Sequence, residues 1–215
     1  CQQCGANFGK WSGQCAECGA WNSLVEAPTV SMPHHKPVTK KASNYAGEQS
    51  SVMPLNAVPM SLDTRLPTGV GEFDRVLGGG LVAGSVVLIG GDPGIGKSTI
   101  LLQTAIHMAE NQSLAGSALY ITGEESLSQV AMRASRLGLP NNNLKVLAET
   151  NVEMICQALT QEQPAVAIID SIQTLFTEAI QSAPGGVSQI RESAAILTRY
   201  AKQTGTALFL VGHVT

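Results

Sequence analysis

Residues 86–98 constrain the fold more than any other stretch of the chain. An apolar run, Val86–Ile89, leads into Gly91-Asp92-Pro93-Gly94-Ile95-Gly96-Lys97-Ser98, a complete G-x4-G-K-S, and a helical pattern begins at Lys97. Strand, glycine-rich turn and helix in that order make a phosphate-binding unit, which works at the carboxyl edge of a sheet. The residue types follow from the chemistry. Gly94 and Gly96 let the backbone curl until successive N–H groups face a β-phosphate, and the helix behind adds its positive end. Lys97 places a point charge on the β- and γ-phosphates, Ser98 offers a hydroxyl to Mg2+, and Thr99 comes near the α-phosphate. Gly91 through Thr99 are therefore the expected ATP contacts.

The rest of residues 61–215 supplies such a sheet. Short β-branched runs alternate with helical patterns, which is how a parallel sheet with crossover helices reads. Strands are predicted at Ser85–Ile89, Ala118–Ile121, Lys145–Leu147, Val166–Ile169 and Ala207–Val211, and helices at Lys97–Glu110, Leu127–Leu137, Val152–Gln161 and Ser188–Gln203. Runs without alternation are what strands buried on both faces show. Asn151 caps the third helix, and Gly138 with Pro140 two residues on stops the second.

Polar residues stand at three of the strand ends. Ala165–Ile169 ends in Asp170, placed to hold Mg2+ through water; the alternative is an Asp that caps the next turn. Ala118–Ile121 ends in Thr122-Gly-Glu124-Glu125-Ser126, where a carboxylate orients the attacking water. Either glutamate fits; Glu124 is favoured, with Glu125 then a salt-bridge or capping residue, and Ser126 caps the following helix. The last strand runs into Gly212-His213, so His213 is a candidate γ-phosphate sensor or a plain structural histidine. Arg133 and Arg136 on the second helix either stack on adenine, reach a neighbouring subunit or are solvated charges.

Four of the five cysteines lie in the first 18 residues, as Cys1-x-x-Cys4-Gly and Cys15-x-x-Cys18-Gly with ten residues between. Two such knuckles supply the four soft ligands of a tetrahedral Zn2+, and Gly5 and Gly19 permit the tight turns. So short a segment cannot bury a core of its own, so metal binding supplies most of its folding free energy. Duplicated spacing without a secretory leader favours zinc over disulfides or a redox pair. With Cys1, Cys4, Cys15 and Cys18 all protein ligands, the zinc is structural. Trp11 and Trp21 shield it or present a contact surface; stacking on single-stranded nucleic acid is the weaker reading. Cys156, on the apolar face of a helix, reads as core packing.

Composition divides the chain into a C4 zinc ribbon at 1–25, a Pro/Ser/Lys linker at 26–60 and an α/β domain at 61–215. The linker holds five of the ten prolines and the cluster His34, His35, Lys36, Lys40 and Lys41, without helical or strand periodicity. Apolar runs such as Leu81–Gly90 are too short to span a bilayer, and no leader opens the sequence, so no membrane partner is expected. Net charge −3 argues against coating nucleic acid by bulk electrostatics. Beginning on Cys1, the chain reads as a piece of a longer protein.

Leu77-Gly-Gly-Gly-Leu81-x-x-Gly84, the phosphate loop, Tyr120-Ile-Thr-Gly-Glu-Glu-Ser126 and Leu210-Val-Gly-His-Val-Thr215 together resemble the RecA superfamily of ATPases. With the C4 knuckles in front, they resemble a bacterial DNA-repair family within it. The resemblance implies a RecA-like P-loop ATPase domain, with a mostly parallel sheet and flanking helices, behind a small rubredoxin-like zinc ribbon. It implies a cytoplasmic, nucleoid-associated, hexameric DNA-dependent ATP hydrolase that promotes branch migration in recombination, acting on single-stranded or branched DNA. It also implies recombinase or helicase partners for the ribbon. By position it supports Glu124 as the hydrolytic base, and it makes Phe176–Ile190, edged by Arg191, a DNA-contact candidate; on its residues alone that loop reads equally as a flexible connection.

The family places a K-N-R-F-G motif just beyond the last strand and a domain resembling the Lon protease after that; both are absent from this sequence. The acidic balance of residues 61–215, nine Lys+Arg against thirteen Asp+Glu, is what a fragment ending before that basic loop would show. Two other functions compete: an ATP-dependent assembly switch that does not translocate on DNA, and a small-molecule kinase. The Glu-Glu strand tip and the zinc module fit hydrolysis with a macromolecular partner better than the kinase.

Overall fold

A computed structural model describes residues 3–4, 12–23, 52–57, 65–111, 117–140 and 143–213. The chain divides into two units, Cys1–Ala42 and Ser43–Thr215. Most of the linker expected at 26–60 lies outside the described residues; within it, Leu55–Ala57 form a 3-10 turn.

In the larger unit, five strands form one parallel sheet: β1 (Val86–Gly91), β2 (Ala118–Thr122), β3 (Lys145–Ala148), β4 (Val166–Asp170) and β5 (Ala207–His213), in the order β1-β5-β4-β2-β3. The helices are α1 (Gly71–Val76), α2 (Lys97–Glu110), α3 (Leu127–Leu137), α4 (Val152–Glu162) and α5 (Val187–Thr204). A 3-10 turn, Ile172–Thr174, follows β4. The order brings the ends of β1, β5, β4 and β2 side by side. Register sets Gly91 opposite His213 and Thr122 opposite Asp170, so each polar strand end predicted to carry chemistry arrives at one edge.

The uninterrupted apolar runs resolve into alternating faces. Ala118, Tyr120, Val166, Ile168, Ala207, Phe209 and Val211 share a core with Leu101, Leu102, Ala105 and Ile106 of α2 and Val130 and Ala134 of α3. Their neighbours Leu119, Ile121, Ala167, Ile169, Leu208 and Leu210 pack with Val152, Ile155 and Leu159 of α4 and Leu197 and Ala201 of α5. Both faces being covered is why no polar residue interrupts these strands. Truncating any of these large aliphatic side chains to alanine costs about 2–5 kcal/mol.

Strands outlast the apolar runs that predict them. Each ends one or two residues later, so Asp170 and His213 are the last residues of their strands, not loop residues beyond them. Backbone pairing with a neighbouring strand does not require an apolar side chain. Helix α1 has no counterpart among the predicted elements, because six residues are too short to show a period. Its Phe73 stacks on Phe209 with centroids 5.3 Å apart. Helix ends follow the sequence signals. Ser126 and Gln129 form a reciprocal capping box, the Asn151 side chain accepts from Met154 N, and Gly138 closes α3 in the left-handed conformation. Among the described residues no helix is long and apolar enough to cross a membrane.

In the small unit the second knuckle is a tight turn. Gly19 N donates to Cys15 O and Cys15 N to Ala20 O, both at 2.9 Å. Gln14 and Trp21 form an antiparallel bridge. Cys15 is buried while Trp21 is exposed, so Trp21 is the side chain free to offer a surface.

Candidate nucleotide site and cysteine cluster

The phosphate loop leaves β1 at Gly91 and enters α2 at Gly96, with Gly94 and Gly96 at φ +78° and +101°. A β-carbon at either would meet open space, so the glycines answer to backbone conformation rather than crowding. Gly96 is the N-cap of α2 and has no side chain to cap it. No side chain therefore caps the first turn of α2, unlike those of α3 and α4, although the Thr99 amide donates to Gly96 O at 3.0 Å. Asp92, Pro93, Ile95 and Thr99 are exposed, and Ser98 is half-buried in the first turn of α2.

Lys97 is only 7% exposed. Its ammonium turns back onto Gly91 O at 2.7 Å and Asp92 O at 2.8 Å. The third neighbour is His213 Nδ1 at 3.3 Å. The other ring nitrogen of His213 lies 3.4 Å from Glu124 Oε1, and the same carboxylate oxygen accepts from the Ser171 hydroxyl. Ends of β1, β5, β2 and β4 thus meet in one chain of side chains: Lys97, His213, Glu124, Ser171. Gln173 Nε2 approaches His213 O at 3.4 Å from the turn after β4.

A second, more buried network lies alongside. The Tyr120 hydroxyl donates to Asp170 Oδ2. Arg133 reaches Tyr120 OH at 3.2 Å, Glu125 Oε2 at 2.9 Å and Asp170 Oδ2 at 3.9 Å. Burial, and then the Asp170 charge, push the Tyr120 phenol well up, so it stays a donor. The two glutamates are therefore separated. Glu124 faces the phosphate loop's lysine through His213, whereas Glu125 is paired with Arg133. Of the three readings of Arg133, a solvated charge does not describe it: its guanidinium is largely buried and pairs with Glu125 at 2.9 Å and Asp170 at 3.9 Å.

Sequence reasoning passed over Tyr120, Ser171 and Gln189. A tyrosine inside an otherwise aliphatic strand is a signal, because a buried phenol needs a partner. Gln189 lies in the first turn of α5 and is 2% exposed. Its Oε1 accepts from Thr177 N at 2.9 Å, and its Nε2 reaches Ser182 O at 2.9 Å and Thr177 O at 3.2 Å. It fastens the base of the loop read as a DNA contact, while Arg191 is exposed at the loop's edge.

These residues fit a polyphosphate. A buried ammonium held by carbonyls and an imidazole has no counter-charge in direct contact, beside a helix N-terminus that no side chain caps. The Ser98 hydroxyl and Asp170 carboxylate are hard oxygen donors of the kind Mg2+ takes.

In the small unit the sulfurs of Cys4, Cys15 and Cys18 lie within 4.8 Å of one another, with Cys4 and Cys15 at 3.6 Å. The Cys18 amide draws the Cys15 thiol below its ordinary value. For Cys18 the Ala20 amide pulls down, but the Cys15 sulfur and desolvation outweigh it and the thiol rises. Clustered thiols sharing backbone donors suit a tetrahedral zinc. The fourth expected ligand, Cys1, lies outside the described residues, as does Trp11.

Fold and site together define a P-loop nucleotide-binding protein of the α/β class, and residues 72–215 match the AAA domain family. The chain belongs to that family. Residues 1–26 match the rubredoxin metal binding domain. The chain is similar along its whole length to proteins named DNA repair protein RadA. That of Pseudomonas aeruginosa is 60% identical over 215 residues, and that of Escherichia coli 49% over 217. That of Bacillus subtilis is 46% identical over 215. The chain spans 46% of the length of each of these relatives.

Proposed function

We propose that this chain is the ATP-hydrolysing part of a DNA repair protein, with residues 1–25 as zinc ribbon, 26–60 as linker and 61–215 as motor domain. The observation that carries the reading is the connected set Lys97, His213 and Glu124 at the end of a glycine loop. A binding module needs the loop and Lys97; a carboxylate linked to that lysine through an imidazole is what hydrolysis adds. The names of the relatives supply DNA repair as the setting.

In this reading the amides of Gly94–Thr99 cradle the phosphates, and Lys97 leaves the Gly91 and Asp92 carbonyls for the β- and γ-phosphate oxygens. Ser98 and Asp170 hold Mg2+, which when bound neutralises charge on the phosphoryl oxygens. Glu124 accepts hydrogen bonds from the attacking water and orients it; Ser171 fixes one oxygen of that carboxylate. His213 registers the γ-phosphate and, as the last residue of β5, passes its position to the segment after it. Single-stranded or branched DNA is the partner, engaged by that segment and the loop fastened by Gln189. The protein acts in the cytoplasm as a hexamer, driving branch migration, and the ribbon docks a recombinase or helicase.

The test is ATP hydrolysis by the full-length protein with and without single-stranded DNA. The rate is expected to rise with DNA. A rate and a nucleotide affinity both indifferent to DNA would overturn the motor reading and favour an assembly switch.

A further inference from the structure

Tyr120 lies in the middle of the sheet with no exposed surface. In a strand otherwise filled by aliphatic side chains, a phenol costs a desolvated hydroxyl unless that hydroxyl is used. Here it donates to Asp170 Oδ2. A guanidinium only donates, so Arg133, 3.2 Å from the phenol oxygen, leaves the phenol's own proton for the carboxylate. The chain of donors runs in one direction, from Arg133 through Tyr120 to Asp170. Glu125, 2.9 Å from Arg133, is the cation's nearer partner; Asp170 meets it at 3.9 Å, through Oδ2 alone, so Oδ1 is left for another partner. Tyr120 stands on β2, Arg133 on α3 and Glu125 in the turn between them.

We infer that Tyr120 and Arg133 are positioning residues for Mg2+: they tie one oxygen of Asp170 and fix the orientation in which its carboxylate meets the ion. The inference rests on the nucleotide-hydrolysing reading above. A carboxylate tied at Oδ2 no longer turns about its Cβ–Cγ bond, and its remaining lone pairs point along one direction. Outer partners of this kind tune metal affinity without touching the metal. A tyrosine that only filled space would serve stability and leave ion binding unchanged.

The experiment is equilibrium binding of a fluorescent, non-hydrolysable ATP analogue to the full-length protein, in EDTA and across a Mg2+ titration. Tyr120→Phe keeps the ring and removes only the hydroxyl. The Mg2+ concentration for half-maximal tightening is expected to rise about tenfold, while affinity in EDTA stays within about twofold. Arg133→Gln is expected to shift the Mg2+ midpoint in the same direction, and it decides the matter if Tyr120→Phe does not fold. A Mg2+ midpoint unchanged in a folded variant overturns the positioning role alone. No analogue binding by the unaltered protein in either condition overturns the nucleotide reading, and this inference with it.

Discussion

Lys97 Nζ, from the first turn of α2, and His213 Nδ1, from the end of β5, stand 3.3 Å apart beside the paired ends of β1 and β5. An ammonium is a donor only, so Nδ1 accepts and the ring proton sits on Nε2, directed at Glu124. One imidazole therefore links the group proposed to bind phosphate to the group proposed to orient water. His213→Ala is expected to lower steady-state ATP hydrolysis by about tenfold to a hundredfold, with nucleotide affinity little changed because Lys97 remains. Unchanged turnover would make His213 structural only.

The glycine run before β1 has a steric explanation that a melting experiment can check. Gly80 has φ +126°, and a β-carbon there would lie 2.5 Å from Leu66 O, whose strand-like pairing with Leu81 closes this corner. Gly80→Ala is expected to cost about 2–3 kcal/mol by strain and overpacking. Gly138→Ala, at φ +64° with open space around it, is expected to cost about 1 kcal/mol. Equal losses in thermal or urea unfolding would contradict this.

The cysteine cluster makes a claim about metal. One zinc per chain is expected by elemental analysis, and Cys15→Ser is expected to remove it and unfold residues 1–25 while the larger unit melts as before. Substoichiometric zinc in reduced, intact protein would rule out the structural site.

Cys156 stands apart from the cluster. Burial, and then the Glu153 charge, push its thiol up to about 11 from 9.0. A raised acid is protonated over a wider range, so below pH 9 the folded protein holds roughly a hundredfold less Cys156 thiolate than the unfolded chain. Alkylation of Cys156 in the native protein is expected to be slow at pH 8 and to accelerate as pH rises toward 11, or at once in urea. Equal rates in native and unfolded protein would contradict its burial.

Much of this arrangement is legible in the sequence. The phosphate loop declared itself because its chemistry fixes residue types at fixed spacing, and Asp170 and His213 because strand ends at one sheet edge are where ligands bind. The helix over 127–137 is placed to the residue by Ser126 and Gly138, and the one over 97–110 starts where the phosphate loop requires it. Pairings across the sheet were not legible. Nothing in the spacing shows that Arg133 turns inward to Glu125 and Asp170, or that Ser171 reaches Glu124, since strand order alone brings them together. Gln189 was hidden for the same reason: its four backbone partners lie seven to twelve residues back, in a loop without periodicity.

The separation of the two glutamates gives the most direct measurement. Glu124 shares contacts with His213 and Ser171, whereas Glu125 is bound to Arg133. ATP turnover at saturating MgATP, with nucleotide affinity measured alongside, is compared for Glu124→Gln and Glu125→Gln. Glu124→Gln is expected to lose on the order of a hundredfold or more in turnover with affinity retained, and Glu125→Gln to lose far less. Full turnover in Glu124→Gln would contradict Glu124 as the residue that orients the attacking water.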